Sequence, residues 1–313
     1  MHNQAELLAR LLETLREQSA GFAEVIVVDN ASKDCAADVA RAAGCRVISL
    51  ASNTGFAHAV NTGWRAASTG WIAVLNSDVE LASDWVETLL TSATAAGFAT
   101  GTILQASNTN SIDGTYDLLS RAGCAWRAGF GQGVASLPSS PAPIAIAPGT
   151  ACVFRREALE RLGGFDETYG SYLEDVDLGL RAVRLGIHGV FVPAAVAIHK
   201  GSATLGRWNS KVVRLISRNQ LLLVARHYDR SLFVACLWPI IAGQLLWGLV
   251  AARHGAFLAW AAGKFDAIRL FRLQKQANPA LREFLAASER EIRQRATDPY
   301  WRWYFRLTAD AAH

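Results

Sequence analysis

The sequence is poor in charge and lacks the motifs of several common enzyme classes. Charged residues make up 19% of the 313 residues, whereas 51% are hydrophobic and ten are Trp. No GxGxxG or Walker sequence occurs, which argues against a dinucleotide oxidoreductase and a kinase. The five cysteines show no CxxC or other metal-ligand spacing, so we expect buried thiols in a reducing compartment rather than a zinc site.

The start of the chain also lacks the apolar segment of a signal peptide. Residues 1–18 form an amphipathic helical pattern that contains Glu6, Arg10 and Glu13. We therefore expect the catalytic part to stay in the cytosol. The net charge of +4 suits nucleic acid, acidic lipid and phosphorylated ligands equally well, so its sign alone selects no partner.

Helical and strand patterns alternate over the first two hundred residues. Unbroken apolar runs such as 71–75 are typical of strands buried on both faces of a parallel sheet. We predict helices at 4–18, 35–43, 57–67, 158–162 and 174–185, and strands at 24–29, 45–50, 71–75, 151–154 and 189–196. This alternation predicts an α/β fold with a mostly parallel sheet, and residues 107–148 interrupt it with loops and short strands.

Two acidic residues follow apolar strands, where ligands of a parallel sheet bind. Asp29 ends one strand and can accept hydrogen bonds from a nucleobase. Asp78 follows another and suits a hard divalent cation, Mg²⁺ or Mn²⁺, that neutralises a departing diphosphate. Capping of the next helix is the alternative for each residue.

Further polar residues lie at turns and helix starts. Asn53 and Gly55 belong to a turn that opens a helix and can meet a phosphate or ribose, or simply cap that helix. Glu174 and Asp175 begin an apolar helix, where the helix dipole favours acids and where a carboxylate can also act as a general base. His199 follows a strand and can be a neutral imidazole ligand of the metal at Asp78.

Six segments together resemble the family-2 glycosyltransferases, and within them the bacterial rhamnosyltransferase-like branch that builds O-antigen and cell-wall polysaccharides. They are VDNASKD (28–34), NTGFAHAVNTG (53–63), LNSDVEL (75–81), GGFDE (163–167), YLEDVDLGLRAVRLG (172–186) and IHKGSAT (198–204). Each segment alone is weak evidence. Their number and order make the resemblance specific.

The resemblance implies a GT-A type fold and inverting transfer of a sugar from a nucleotide-diphosphate donor. The first choice of donor is dTDP-rhamnose and the second a UDP-hexose or UDP-galactofuranose, with a glycan or lipid-linked glycan as acceptor and no nucleic-acid partner. The implied donor contacts are Asp29, Asn30, Asn53, Gly55, Asn61, Asn76 and Ser77, the metal ligands Asp78 and His199, and the catalytic residues Asp175, as base, and Glu174. Asn76 replaces the first Asp of the DxD metal motif, so charge compensation rests mainly on Asp78.

One feature of the family has no counterpart at the N-terminus. Family members begin with an apolar strand, which would end where this sequence begins, at Met1 to Asn3. We hypothesise that the natural polypeptide starts upstream of Met1. Two other protein classes are weighed against the glycosyltransferase: a nucleotidyltransferase of similar fold, and a non-catalytic membrane-associated scaffold.

The remaining predictions concern the acceptor and a membrane. Residues 107–148 are expected to form the acceptor side, where Tyr116, Trp126 and Phe130 can stack on a sugar or pack in the core. We expect a catalytic domain at 1–206 and a helical region at 207–313 with helices at 208–227, 231–252 and 263–276. The apolar helix at 231–252 has basic flanks, which favours an interfacial position at the cytoplasmic face of the plasma membrane, with Trp238, Trp247 and Trp260 at headgroup level.

Overall fold

The computed structural model describes residues 1–201 and 208–309. Helices and strands alternate at its start as predicted, and each element predicted between residues 4 and 75 is present to within two residues at either end. The regularly spaced leucines of the first helix, such as Leu8 and Leu12, are buried. The elements are α1 (Ala5–Arg16), β1 (Ile26–Asp29), α2 (Ala36–Ala42), β2 (Arg46–Ser49), α3 (Phe56–Ala66), β3 (Trp71–Leu75), β4 (Val79–Leu81) and α4 (Trp85–Ser92).

The stretch at 107–148 contains short strands, as predicted, and regular elements resume after it. The strand predicted at 189–196 continues to His199, so this histidine ends a strand. The elements are β5 (Phe98–Gln105), β6 (Asn108–Gly114), β7 (Asp117–Leu119), β8 (Ala125–Arg127), β9 (Ala142–Ile144), β10 (Ala151–Arg155), α5 (Arg156–Leu162), α6 (Glu174–Leu185) and β11 (Gly189–His199).

The main sheet is mixed, so the prediction of a mostly parallel sheet is wrong. Its strands have the order β3-β10-β5-β11-β4, with β6 beside β5 and β9 beside β11. β11 is parallel to β5, whereas β10 is antiparallel to both β3 and β5. Parallel neighbours need a long crossover, and the short connection between β5 and β6 instead produces an antiparallel pair. β1 and β2 form a separate two-stranded parallel sheet.

The faces of the main sheet pack against two apolar clusters. Val153 of β10 belongs to one apolar cluster together with Leu8 of α1 and Trp85 of α4. Its neighbour Phe154 packs with Leu159 of α5 and other residues of the second cluster. This alternation along β10 follows from the two-residue repeat of a strand.

The described residues divide into two compact units. The first contains residues 1–116, 129–182 and 186–201, and the second contains 117–128, 183–185 and 208–309. The strands β7 and β8 therefore belong with the C-terminal helices. The predicted domain boundary at 206 and 207 lies outside the described residues, as does the end of the IHKGSAT segment.

The second unit contains the C-terminal helices. Instead of one helix at 231–252 there are two, and Asp229 caps the first by accepting hydrogen bonds from the backbone N–H groups of Ser231 and Leu232. Within the two described stretches, no helix is long and apolar enough to cross a membrane. The helices are α7 (Ser210–His227), α8 (Arg230–Ala235), α9 (Leu237–Arg253), α10 (Phe257–Ile268), α11 (Pro279–Arg295) and α12 (Pro299–Leu307).

Candidate active site

Asp29 lies at the carboxyl end of β1, where the sequence predicts a base contact. Its side chain is buried, and its Oδ1 accepts a hydrogen bond of 3.0 Å from the backbone N–H of Ser32. Asp residues commonly stabilise turns in this way. Met1 lies beside the same strand, because its amino group donates to the Val28 carbonyl at 2.8 Å. The base contact stays a prediction.

Asn30 joins the loop after β1 to the loop before α3. Its Oδ1 accepts a hydrogen bond of 2.8 Å from the Thr54 backbone, and its Nδ2 donates one of 3.0 Å to the Gly55 carbonyl. Asn53 is exposed, and its Oδ1 accepts from the Gly55 N–H at 3.1 Å. Asn30 therefore holds in place the loop that carries the exposed Asn53.

Gly55 brings this loop against the segment before α6. Its φ is 90°, and a Cβ on it would lie 2.7 Å from the carbonyl oxygen of Gly170. The N–H of Ala57 donates to the same carbonyl at 2.9 Å, and the N–H of Phe56 donates to the Ser171 hydroxyl at 3.0 Å. Only glycine suits both this backbone conformation and this close approach.

Asn61 has a structural role instead of the predicted donor contact. Its Nδ2 donates to the Phe165 carbonyl and to Oε1 of Glu167, both at 2.8 Å. Its Oδ1 accepts from the Phe165 N–H at 2.9 Å and from Nε1 of Trp64 at 3.0 Å. These four bonds use both donors and both lone pairs of the amide, so no group remains for a nucleotide.

Asn76 and Ser77 hold the connection between β3 and β4. The backbone N–H of Asn76 donates a hydrogen bond of 2.9 Å to the Thr150 carbonyl. The Ser77 hydroxyl is buried and donates to Oε1 of Gln4. The connection that carries Asp78 is thus fixed at both positions, and a donor contact from either residue stays a prediction.

Asp78 and His199 meet, as the predicted metal site requires. β4 and β11 pair with Val79 opposite His199. Oδ2 of Asp78 lies 3.4 Å from Nε2 of His199, and each side chain is only 11% exposed. The other ring nitrogen, Nδ1, lies 2.8 Å from Oδ2 of Asp113.

The electrostatics around His199 favour positive charge. Burial opposes the charged imidazolium, but hydrogen bonds to Asp113 and Asp78 and attraction to both carboxylates raise the pKa of His199 to about 9. A pocket that stabilises a cationic ring also stabilises a bound cation, because both interact with the same carboxylate charge.

Asp78 and His199 fit a divalent cation completed by substrate. Their 3.4 Å separation is close to the roughly 3 Å expected between adjacent ligands that lie about 2.1 Å from an octahedral metal. In the described part of the chain, no group of three or more His, Cys, Asp or Glu side chains could hold a metal by itself. The other positions would fall to phosphate oxygens and water, as is usual for Mg²⁺.

Asp175 is the second residue of α6, and backbone donors hold its carboxylate. Oδ2 accepts from the Gly149 N–H at 2.9 Å, and Oδ1 accepts from the Val176 N–H at 2.8 Å. The next residue along the chain from Gly149 is Thr150, whose carbonyl binds Asn76. Residues 149–150 therefore link Asp175 to the connection between β3 and β4, which carries Asp78.

Glu174 does not present a carboxylate to substrate. Its side chain is buried, and its Oε2 has no hydrogen-bond partner among the residues described here. Burial raises the pKa of Glu174 well above its usual range, and the neighbouring charges of Asp175 and Asp177 add to this. We therefore revise Glu174 from a predicted catalytic group to a buried, preferentially neutral neighbour of Asp175.

A sequence profile described as glycosyl transferase family 2 matches residues 1–163, more than half of the chain. The chain belongs to this family. Over 229 residues this family 2 glycosyltransferase is 29% identical to N-acetylglucosaminyl-diphospho-decaprenol L-rhamnosyltransferase of Mycobacterium tuberculosis. The aligned region covers 64% of this chain and 74% of the relative. It is 27% identical over 302 residues to the pre-mycofactocin glycosyltransferase of the same species, covering 93% of this chain and 60% of the relative.

Two solved structures share the fold at low sequence identity. Mannosyltransferase PcManGT from Pyrobaculum calidifontis, in complex with GDP-Man and Mn²⁺, has a TM-score of 0.54 and 19% identity and covers 99% of this chain and 82% of its own. GalNAc-T7 with UDP, GalNAc and Mn²⁺ has a TM-score of 0.59 and 14% identity, and the match covers 99% of this chain and 55% of GalNAc-T7. The predicted GT-A fold and the rhamnosyltransferase-like branch are confirmed, and the nucleotidyltransferase alternative loses its support.

Sequence reasoning missed Asp113 in this family 2 glycosyltransferase. It lies in the irregular stretch at 107–148, and a lone acid between Ile112 and Gly114 gives no motif. Acceptor stacking and core packing were both open for the aromatic residues of this stretch, and the structure shows packing for two of them. Trp126 is buried, and Tyr116 makes an edge contact with Phe191 at a centroid distance of 5.6 Å.

Proposed function

We propose that this family 2 glycosyltransferase transfers a sugar from a nucleotide-diphosphate donor to a glycan or lipid-linked glycan and inverts the configuration at the anomeric carbon. Rhamnose is the first choice of sugar, and cell-surface polysaccharide is the product class. The observation that carries the proposal is the contact between Asp78, just before β4, and His199, at the end of β11, which together would bind a cation. Asp175 lies in the same compact unit.

Asp78 and His199 would hold a divalent cation, Mg²⁺ or Mn²⁺, at the diphosphate of the donor. Such a cation neutralises the charge that develops on the leaving diphosphate. Both solved structures of similar fold contain Mn²⁺ together with a nucleotide or nucleotide sugar, which supports this assignment. Asp29 and the exposed Asn53 would contact the base and ribose.

Asp175 would act as the general base. Two backbone N–H groups orient its carboxylate, which takes the proton of the acceptor hydroxyl while that oxygen attacks the anomeric carbon. The bond from this carbon to the diphosphate breaks on the opposite side. One displacement of this kind inverts the configuration.

The choice of sugar and acceptor rests on the relatives. The M. tuberculosis relative at 29% identity is named as an L-rhamnosyltransferase of a lipid-linked N-acetylglucosamine. A similar pair of substrates, dTDP-rhamnose and a lipid-linked N-acetylglucosaminyl acceptor, is therefore the first to test here.

A donor and acceptor panel tests the proposal. The purified protein is incubated with Mn²⁺ and dTDP-rhamnose, UDP-glucose or UDP-galactofuranose, each with and without lipid-linked N-acetylglucosamine, and the linkage is assigned by NMR. We expect rhamnose transfer with inversion. Transfer with retention would contradict a single displacement with Asp175 as base, and consumption of nucleoside triphosphate without sugar transfer would favour a nucleotidyltransferase.

We also propose that the second unit binds an anionic membrane surface, at the cytoplasmic face of the plasma membrane. In α9 and α10 polar side chains point inward: Gln244 is buried and donates to the Ala122 carbonyl at 2.8 Å, while Lys264 donates to the Ser217 carbonyl at 2.7 Å. The large exposed side chains of these helices are apolar except for Arg253 at the end of α9: Leu237, Trp238, Ile241, Leu245, Leu249, Phe257, Leu258, Phe265 and Ile268. An exposed apolar face of this extent marks a contact with another apolar phase.

The charge around this face favours anionic lipid. No acidic residue occurs between Asp229 and Asp266, whereas Arg253, Arg269 and Arg272 are exposed. Basic residues beside an apolar helical face add electrostatic attraction to its burial in the headgroup region. This combination fits a peripheral membrane contact.

The predicted aromatic anchors are partly corrected. Trp238 is exposed, as a headgroup contact requires. Trp247 instead points inward, with its Nε1 donating to the Ser217 hydroxyl at 3.0 Å, and Nε1 of Trp260 is buried. Gln244, which interrupts the apolar run in the sequence, is therefore not part of the proposed lipid contact.

A further inference from the structure

We propose that Asp113 is a positioning residue that orients His199 toward the bound cation. Oδ2 of Asp113 lies 2.8 Å from Nδ1 of His199, on the side of the ring opposite Nε2. The Asp113 side chain is only 14% exposed and that of His199 11%, so water screens the pair little. Nε2 is the nitrogen that faces Asp78.

The chemistry of the imidazole explains why this contact matters. A neutral ring has one N–H donor and one lone pair, and only the lone pair can bind a cation. A cation that binds beside Asp78 would displace the proton of Nε2. The Asp113 carboxylate would still accept a hydrogen bond from Nδ1–H, which leaves the lone pair of Nε2 for the cation. Metal-binding histidines commonly have such a partner, which fixes the ring orientation and raises the basicity of the ligand.

The backbone places Asp113 for this contact. β6 pairs with β5, and the paired residues step from Ile103 with Gly114 to Leu104 with Ile112. Asp113 is therefore the extra residue of a bulge in β6. Bulges redirect side chains and are frequent beside active sites. β5 also pairs with β11, so β5 is the one strand that lies between the bulge in β6 and His199 in β11.

A purely structural role for Asp113 is the alternative, because a partly buried carboxylate beside a cationic ring stabilises the fold. The two roles differ in what they change. Loss of a structural ion pair lowers the melting temperature with and without metal. Loss of an orienting partner weakens metal binding and changes the proton position on the His199 ring.

The inference rests on the proposed metal-dependent function, and metal binding by the intact protein tests it. Asp113→Asn and Asp113→Ala are titrated with Mn²⁺ in the presence of dTDP by calorimetry, beside the wild type. We expect both variants to bind Mn²⁺ about ten- to a hundredfold more weakly. Asp38→Asn is the matched control, since Asp38 makes an exposed ion pair of 2.7 Å with Arg41 and should leave Mn²⁺ binding unchanged.

Histidine ¹⁵N NMR of the protein loaded with Mg²⁺, which is diamagnetic, gives the second measurement, with His199→Asn to identify the signal. We expect protonated Nδ1 in the wild type and an altered signal in Asp113→Asn. Wild-type Mn²⁺ affinity in both Asp113 variants would overturn the inference and leave the metal-dependent function intact. Absence of Mn²⁺ binding in the wild type would overturn both.

Discussion

The backbone N–H of Gly149 donates a hydrogen bond of 2.9 Å to Oδ2 of Asp175, while the Val176 N–H donates to Oδ1. A carboxylate held at both oxygens cannot rotate freely. Each oxygen still has a lone pair with a defined direction. The hydrogen bond from Gly149, which lies just before β10, thus helps to fix the orientation of the proposed base.

Replacement of Asp175 by Asn tests the base directly. The amide has nearly the same shape and can accept from Gly149, but it cannot take a proton from an acceptor hydroxyl. We expect turnover to fall by a factor on the order of a hundred or more, with donor affinity near that of the wild type. Single-turnover transfer and donor calorimetry measure the two quantities.

The control for this variant is Asp166→Asn, because Asp166 accepts a turn hydrogen bond of 2.9 Å from the Thr168 N–H and has no proposed catalytic role. Normal turnover by Asp175→Asn would show that the base is another residue.

Asp78→Ala tests the cation pocket. It removes the only carboxylate proposed to bind the cation directly, so metal-dependent turnover should be lost and the rise in melting temperature on addition of Mn²⁺ with dTDP should disappear. Glu80→Gln is the control, since Glu80 makes ion pairs of 3.7 Å to Lys200 and 3.9 Å to Arg10 and has no proposed role in binding the cation. A variant at Asp78 that retained Mn²⁺-stimulated transfer would remove this residue from the metal site.

Much of the fold and the central pair could be predicted from the sequence. Asp78 and His199 each follow an apolar run, and the resemblance to the family assigns both to the metal. The strand that brings them together, β4, is not among the predicted strands, and its start pairs with the end of β11. The mixed character of the sheet could not be predicted in this way, because the apolar pattern of a strand such as β10 is the same whether the strand is parallel or antiparallel to its neighbours.

The misses at the site share another cause. Asp113 owes its position to a bulge, and a bulge shifts register without a local sequence signal. Asn61 resembles a family binding residue, but three of its four hydrogen bonds are made with Phe165 and Glu167, more than a hundred positions away. Likewise, the inward position of Trp247, predicted at headgroup level, depends on its tertiary contact with Ser217.

Glu174→Gln should change how stability depends on pH. The pKa of Glu174 is raised in the folded protein, so above the ordinary Glu pKa of about 4.3 the folded state binds more protons than the unfolded state. The stabilising effect of the protonated group is complete below that value and is lost as pH rises toward the folded pKa. The free energy of unfolding should therefore fall with pH more steeply in the wild type than in Glu174→Gln.

Urea unfolding of both proteins between pH 4 and pH 8 measures this difference. Parallel curves across the range would mean that Glu174 titrates in the folded protein as it does in the unfolded chain.

Asn61→Ala should destabilise the fold. The change leaves the Phe165 N–H and carbonyl and the Trp64 N–H without their amide partner, and each buried unsatisfied group costs about 1–3 kcal/mol. Asn53→Ala, at an exposed position, should change the free energy of unfolding by less than about 1 kcal/mol. Chemical denaturation compares the two, and equal stability losses would contradict the structural assignment of Asn61.

The apolar face of α9 is tested by making it polar. Leu245 and Leu249 are 56% and 67% exposed, so a Leu245→Gln/Leu249→Gln double variant should fold normally, because neither side chain contributes much to the core. Its binding to vesicles that contain anionic phospholipid should fall at least several-fold, since each leucine buried in lipid contributes roughly 1.5–3 kcal/mol. Co-sedimentation with vesicles measures the bound fraction.

Val134→Gln is the control, because Val134 is 37% exposed and belongs to the first unit, outside the proposed lipid contact, and should leave vesicle binding unchanged. High salt should weaken the wild-type interaction without abolishing it, since salt screens the contribution of Arg253 and its neighbours and leaves the apolar contribution in place. Binding of the double variant at the wild-type level would place the membrane contact elsewhere. If the double variant instead turned a wild-type dimer into a monomer and lipid binding stayed unchanged, a second copy of the chain would be the partner that covers this face.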